Sequence, residues 1–272
     1  MKKRFIAVID SGIGGLSLLK ELVKAMPNEQ FLYYGDNRNA PYGNKTKREL
    51  LSLVIDVILS VKRYNVKAIV FGCNTISLTI LDEVSKIFND IKFFGVFPPV
   101  ESHILSNKSV LLLCTENSAR HYKQSQNLTI LPLSNLAKDI ENNAINLDNI
   151  DIKKHVERAI ISNSFILNEE LTTEQSFLTT KKLQTLFDHP KGAFEVVVLG
   201  CTHYFFVKNK IFNHFQPQEI FGGEKLTSKM VKEFLVNSKS LEKHLQNTIL
   251  FIGENAKNNK FIYENILGNL SF

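Results

Sequence analysis

Short apolar runs that each end in glycine or polar residues are the feature that most constrains the fold of this sequence. The first covers residues 5–9, is rich in β-branched residues and leads into Asp-Ser-Gly-Ile-Gly-Gly. A run of this length and composition predicts a buried strand of a parallel sheet. By the same criterion we predict five further strands, at residues 30–34, 68–71, 93–97, 109–113 and 195–199.

Segments with apolar residues at helical spacing lie between these runs. They predict helices at residues 16–26, 50–64 and 77–88. Strands that alternate with helices indicate parallel sheets connected by crossover helices, so the sequence predicts an α/β protein. Residues 142–190 are polar and helical in tendency, with weak strand signals.

Polar or reactive side chains directly follow several of the predicted strands. In open parallel sheets, ligands bind just beyond the carboxyl ends of the strands. Five such strand ends placed together would line one crevice. The residues at these ends are Asp10, Ser11, Asp36, Cys73, Asn74, Thr75, Thr115, Cys201, Thr202 and His203.

Composition and charge exclude several classes of protein. Of the 272 residues, 44% are hydrophobic and 22% charged, which is typical of a soluble globular protein. The formal net charge of +6 could indicate binding to nucleic acid. The lysines, however, are spread along the chain, and no basic run with interleaved aromatic residues occurs. We therefore predict a small anionic substrate, which a positive field would attract, and no nucleic-acid or membrane partner.

The cysteines and the amino terminus point to the cytoplasm. Cys73, Cys114 and Cys201 are odd in number and far apart, so neither a disulfide framework nor a zinc site is predicted, and no metal is expected. The first apolar run, about five residues, is too short for the core of a signal peptide or a membrane span. We expect a cytoplasmic protein with reduced thiols.

The glycine-rich segment 10–15 suggests anion binding. Gly12, Gly14 and Gly15 are too close together for the dinucleotide pattern Gly-x-Gly-x-x-Gly. A glycine turn before a helix can still hold a carboxylate with its backbone N–H groups, and Asp10 could orient a substrate ammonium. The alternative is that Asp10 or Ser11 is simply the N-cap of the helix.

Two cysteines occur in the same unusual context, Gly72-Cys73-Asn74-Thr75 and Gly200-Cys201-Thr202-His203-Tyr204. Each follows a predicted strand and precedes a helix start, whose positive end lowers a thiol pKa from about 8.5. Either cysteine alone would be read as a core residue, but the repeat favours a functional pair. His203 could supply a proton, although a lone histidine there would more often be structural. Cys114 lacks the pattern, and we assign it to the core.

A long turn-rich loop follows the second strand at residues 33–43. Its tyrosine, asparagine, arginine and glycine residues could build a polar pocket that includes Tyr42 and Gly43. The alternative is a surface turn set by Pro41 and Gly43.

Together these motifs resemble glutamate racemases of the aspartate/glutamate racemase superfamily. The matching segments are Asp10–Gly15, Tyr34-Gly35-Asp36 with Pro41-Tyr42-Gly43, Cys73-Asn74-Thr75 and Gly200–Tyr204. The resemblance implies two pseudo-symmetric α/β domains, each a mostly parallel sheet flanked by helices, with the active site in the cleft between them. We expect the first domain at residues 1–97 plus 210–272 and the second at 98–209.

The resemblance also implies the chemistry: cofactor-independent interconversion of L- and D-glutamate for peptidoglycan synthesis, by a homodimeric enzyme. Cys73 would handle the α-proton on the D face and Cys201 on the L face, assisted by Asp10 and His203. A racemase must remove a proton on one face and return one on the other, which two thiols can do in either direction. Asp10 and His203 would also contact the substrate, along with Ser11, Tyr42, Gly43, Asn74, Thr75, Thr115, Ser118 and Thr202.

Several residues depart from the family pattern. Pro98 replaces a usual glutamate, and Lys138 stands where an acid normally assists His203, so we expect Asp139 to take that role. Phe205-Phe206 and Phe221-Gly222 also differ, and residues 162–190 form a longer segment than usual. These changes leave open a racemase of aspartate or another amino acid, or a weakly active paralogue with a binding role, for example on gyrase.

Overall fold

The computed structural model describes residues 4–102, 106–133, 135–170, 185–242, 247–253 and 256–269, with the backbone alone at 163–170, 256–258 and 269. The chain divides into two compact units. The first comprises Met1–Phe97 and Gly223–Phe272, and the second comprises Pro98–Gly222. No described helix is long and apolar enough to cross a membrane.

The first unit contains a parallel five-stranded sheet with strand order β4-β3-β1-β2-β9. Most apolar side chains of its central strands are buried, and apolar residues of the flanking helices pack against them. The strands are β1 Phe5–Asp10, β2 Gln30–Gly35, β3 Val66–Phe71, β4 Lys92–Gly95 and β9 Thr248–Ile252. The helices are α1 Leu16–Ala25, α2 Lys47–Lys62, α3 Asn74–Ile87, α8 Glu224–Asn237 and α9 Ala256–Asn269.

The second unit contains a parallel four-stranded sheet with strand order β6-β5-β7-β8. Its central strands β5 and β7 consist wholly of buried residues. The strands are β5 Val110–Cys114, β6 Leu128–Pro132, β7 Val196–Gly200 and β8 Glu219–Phe221. The helices include α4 Glu116–Ala119, α5 Leu136–Asn142, α6 Ile152–Glu170 and α7 Lys208–Phe215.

The two sheets share one topology. Numbered within each unit, the first four strands of both sheets lie in the order fourth, third, first, second. The fold is therefore α/β with two pseudo-symmetric parallel sheets, as the resemblance implied. It follows that β3 and β7 are equivalent strands, as are β1 and β5.

The six predicted strands correspond to β1, β2, β3, β4, β5 and β7, whereas β6, β8 and β9 were missed. The missed strands are edge strands of the described sheets: β6 ends in proline, β8 has three residues, and β9 pairs with β2 alone among the described strands. The helix predicted at 77–88 begins earlier, at Asn74. Residues 210–222, which we expected in the first domain, belong to the second unit because β8 pairs with β7. Part of the long segment 162–190 lies outside the described residues.

A buried ion pair secures the first unit. The Nζ atom of Lys67 lies 2.7 Å from Oε2 of Glu29, and the two side chains are 1% and 0% exposed. Lys67 also donates to the carbonyl of Ser240, and the backbone N–H of Glu242 donates to Oε1 of Glu29. Through these hydrogen bonds, the pair holds the segment that follows α8 against the amino-terminal ends of β2 and β3.

Candidate active site

Cys73 occupies the junction between β3 and α3. Its backbone is extended, with φ −122° and ψ 120°, and it is the N-cap residue of α3. Its carbonyl accepts hydrogen bonds from the N–H and the Oγ of Ser77, at 3.0 and 2.9 Å. A Cβ atom added at Gly72 would lie 2.8 Å from Cα of Gly15, so glycine is required where β3 passes the turn after β1.

Asp10 ends β1 and is completely buried. Its Oδ1 accepts the N–H of Gly12 at 2.8 Å, while the Tyr33 hydroxyl donates to the Gly12 carbonyl at 2.6 Å. The N-cap of α1 is Gly15, so the alternative that Asp10 or Ser11 caps this helix is wrong. Asp10 instead organises the glycine turn, and Ser11 is buried in it.

Tyr42 and Gly43 are buried in a 3-10 turn, Tyr42–Asn44, so at these positions the loop is not a surface turn. The Tyr42 hydroxyl donates to Oδ2 of Asp36 at 2.5 Å. Burial, then the charge and hydrogen bond of Asp36, then the nearby Cys73 and Asp10, raise the pKa of Tyr42 far above its ordinary value. The phenol is therefore neutral and lies close to Cys73 and Asp10.

Asn74 and Thr75 begin α3 and are both buried. The Asn74 amide donates to the carbonyl of Val96 at 3.1 Å, and the N–H of Val96 donates to Oγ of Ser77 at 3.0 Å. These bonds tie the start of α3 to the end of β4. The first unit thus gathers Asp10, Tyr42 and Cys73, with Asn74 and Thr75 next along the chain.

Cys201 occupies the equivalent junction in the second unit. It follows Gly200, the last residue of β7, and is the N-cap of a 3-10 helix, Thr202–Val207, with φ −145° and ψ 129°. Both Cys73 and Cys201 are 7% exposed. In each unit, therefore, a cysteine follows the third strand in extended conformation and begins a helical turn.

His203 contacts both Cys201 and a carboxylate. Its Nδ1 lies 3.7 Å from Sγ of Cys201, and its Nε2 lies 2.6 Å from Oε1 of Glu141. Burial alone would lower the pKa of this imidazole. The hydrogen bonds that the imidazole makes with Cys201 and Glu141, together with the charge of the carboxylate, outweigh burial and raise the pKa of His203 well above its ordinary value. His203 is therefore held as a cation at neutral pH.

The acid that supports His203 is Glu141, and the prediction of Asp139 is wrong. Oδ2 of Asp139 lies 3.1 Å from Nε2 of His155, and Lys138 is exposed. Asp139 and Glu141 are two positions apart on α5, so their side chains leave the helix on nearly opposite sides. Helix periodicity could therefore have shown that Asp139 and Glu141 face different neighbours, but not which of them faces His203.

Thr115 and Ser118 lie together after β5. Thr115 is the N-cap of α4, accepting the N–H of Ser118 at 3.3 Å, and its hydroxyl donates to Oγ of Ser118 at 3.0 Å. Both residues are buried, as is Thr202. Cys114 is completely buried in the apolar core of this unit, which confirms its assignment to the core.

Tyr204 fixes the backbone near Cys201. Its hydroxyl donates to the carbonyls of Cys114 and Leu133, at 3.0 and 2.9 Å. The divergent Phe205 and Phe206 follow in the same 3-10 helix and are half-buried. Among the residues that the structure describes, no group of three histidine, cysteine, aspartate or glutamate side chains is arranged to hold a metal ion.

Comparison with known proteins decides the family. No family model matches the chain. A glutamate racemase of Leptospira interrogans serovar Lai is 32% identical over 266 residues, which cover 96% of this chain and 90% of that protein. The chain belongs to the glutamate racemase family. A Clostridium novyi glutamate racemase is 30% identical over 87% of this chain and 85% of its own length.

Solved structures of glutamate racemases share the fold. The Bacillus anthracis isoform RacE1 gives a TM-score of 0.73 at 21% identity, covering 98% of this chain and 95% of that one. The Francisella tularensis enzyme, solved in complex with D-glutamate, gives 0.70 at 21% identity, covering 99% and 95%. The Escherichia coli enzyme, in complex with L-glutamate and the activator UDP-MurNAc-ala, gives 0.65 at 20% identity, covering 99% and 96%.

Proposed function

We propose that this protein interconverts L- and D-glutamate without a cofactor, using Cys73 and Cys201 on opposite faces of the α-carbon. The observation that carries the proposal is the equivalent position of the two cysteines, each beyond the third strand of its sheet at the start of a helical turn. Membership of the glutamate racemase family supports the choice of substrate.

Glutamate would bind at the carboxyl ends of the strands, where each unit places its cysteine and the buried polar residues around it. Ligands of open parallel sheets bind at this end. Buried hydroxyl, amide and backbone N–H groups there can hold two carboxylates and an ammonium, and Asp10 would attract the ammonium. We assign substrate contacts to Asp10, Ser11, Tyr42, Gly43, Asn74, Thr75, Thr115, Ser118, Thr202 and His203.

The reaction moves one proton at a time. With L-glutamate, the thiolate of Cys201 takes the α-proton, and the electron pair of the broken C–H bond stays on carbon and delocalises into the carboxylate. The thiol of Cys73 then gives its proton to the other face, which yields D-glutamate and leaves Cys73 as the thiolate. Fixed N–H and hydroxyl donors would stabilise the developing charge. D-glutamate reacts by the same steps in reverse.

His203 and Asp10 would assist the two thiols. An imidazolium that donates a hydrogen bond to sulfur lets that sulfur carry negative charge while it removes a proton. Glu141 would keep His203 oriented and protonated, as the 2.6 Å contact and the raised pKa of His203 support. Asp10, buried beside Tyr42 and near Cys73, is the corresponding charged group in the first unit.

The cellular role follows from the product. We infer that the protein supplies D-glutamate for peptidoglycan synthesis and hence for cell-wall formation and cell shape. We propose that it acts in the cytoplasm as a homodimer.

Incubation with L-glutamate in deuterated water tests the proposal. Chiral chromatography should show conversion to D-glutamate, and NMR should show deuterium at the α-carbon. Absence of both with every amino acid in a panel would contradict a racemase and favour a binding role. Racemisation of aspartate in preference to glutamate would contradict the substrate assignment alone.

A further inference from the structure

A cavity of about 600 Å³ lies within the second unit, between α4, β6 and α6. Its apolar wall includes Ala119, Ile130 and Leu133, and its polar lining includes Arg120 and Arg158. This volume is within the usual range for pockets that bind small organic molecules. None of the residues proposed to contact glutamate is among the described residues that line it.

The two arginines are available to a ligand. Both are exposed, and within the described part of the chain neither forms an ion pair with an acidic side chain. Glu116 is the acidic residue among the described lining. A guanidinium presents a planar fork of N–H donors that matches the oxygens of a phosphate or carboxylate. The apolar wall would contact a hydrocarbon or aromatic portion of the same ligand.

Helix α5 connects this cavity to the candidate active site. His155 lines the cavity and contacts Asp139 of α5 at 3.1 Å. Leu133 and Asn135, which precede α5, also line the cavity. On its other side α5 carries Glu141, whose carboxylate contacts His203 at 2.6 Å. A ligand in the cavity would therefore contact residues that pack against one side of α5 or precede it. The other side of α5 positions His203 through Glu141.

We propose that this cavity binds a small organic anion through Arg120 and Arg158, and that its occupancy alters the setting of His203 through α5. The effect on racemisation rests on the proposed function. The binding and the response of His203 do not, because both can be measured without glutamate.

His155 does not supply a positive charge for binding the anion. Burial lowers its pKa and outweighs the opposite influence of Asp139, while the nearby Arg158 lowers it further. The imidazole is therefore neutral at neutral pH, and the two guanidinium groups remain the cationic groups of the described lining.

Isothermal titration of the full-length protein with phenyl phosphate and with benzoate tests the binding. We expect saturable binding of at least one, no binding of benzyl alcohol, and a loss of affinity of about tenfold in each of Arg120→Gln and Arg158→Gln. Arg63→Gln, at an exposed arginine after α2, should leave binding unchanged. The two anions separate a phosphate site from a carboxylate site. The proposal would be overturned if neither anion showed saturable binding, or if Arg120→Gln and Arg158→Gln bound the anion with the same affinity as wild type.

NMR of histidine-labelled protein tests the link through α5. Saturating anion should shift the His203 imidazole signals in wild type, and the shift should be much smaller in Asp139→Asn, which still binds. A His203 signal that does not move, or that moves equally in Asp139→Asn, would overturn the link. A protein that shows these shifts but does not racemise glutamate would refute the proposed function and leave the site standing.

Discussion

The Nε2 atom of His203 lies 2.6 Å from Oε1 of Glu141, while Nδ1 of the same imidazole lies 3.7 Å from Sγ of Cys201. One buried ring therefore connects a carboxylate on α5 to the cysteine that follows β7. The raised pKa of His203 makes it a proton donor to both neighbours. Glu141 thus supplies the acid expected next to His203, from a position two residues beyond Asp139.

Glu141→Gln should lower kcat for glutamate by about tenfold to a hundredfold. This is less than the roughly 10²–10⁴-fold that general acid–base catalysis contributes, because Glu141 supports His203 and does not itself transfer the α-proton. KM should change little, since Glu141 is not assigned a substrate contact. Asp139→Asn is the matched control: it changes the other acid of α5, whose contact is His155, and kcat should stay within about threefold of wild type. Steady-state kinetics would contradict the assignment if Asp139→Asn were the more damaging change.

The pH dependence of stability should report the same contact. The pKa of His203 is raised above its unfolded value near 6.5, so the bound proton favours the folded state. This stabilisation is complete below about pH 6.5 and is lost as pH rises through the folded pKa. Urea unfolding should therefore show that Glu141→Gln lowers the free energy of unfolding, relative to wild type, more at about pH 6 than at about pH 9. NMR should show that the pKa of His203 is lower in this variant than in wild type. A pH-independent difference would contradict this account.

The sequence predicted the strands that position the site more successfully than those at the edges. β1, β3, β5 and β7 are buried on both faces, so they read as continuous apolar runs. Edge strands carry a weaker pattern, and β6 and β8 were missed for that reason. The Gly-Cys motifs led directly to the two equivalent junctions.

Glu141 could not be chosen from spacing alone. Helix α5 carries acids at 139 and 141 on opposite sides, and tertiary packing decides that His203 faces one and His155 the other. The contact between Tyr42 and Asp36 could not be predicted either, because it depends on how the loop that follows β2 folds. Local patterns thus located the reactive residues but not their supporting partners.

The buried pair of Lys67 and Glu29 should matter for stability and not for turnover. Lys67→Met leaves the Glu29 carboxylate buried without its cation, which costs about 3–5 kcal/mol. The double variant Glu29→Gln/Lys67→Met removes both charges and should recover part of that loss. Urea unfolding measures the change, and KM for glutamate should be unaltered in the folded protein. Equal stability of Lys67→Met and wild type would show that the pair contributes nothing.

The central claim is that Cys73 and Cys201 serve opposite faces of one α-carbon, and α-proton exchange by single variants in deuterated water tests it most directly. Cys73→Ser should exchange the α-proton of L-glutamate only, and Cys201→Ser that of D-glutamate only, while racemisation falls about a thousandfold in both. Cys114→Ala, at the buried core cysteine, should racemise within a few-fold of wild type. Near-wild-type racemisation by either serine variant, or exchange of the opposite enantiomer, would contradict the two-cysteine account.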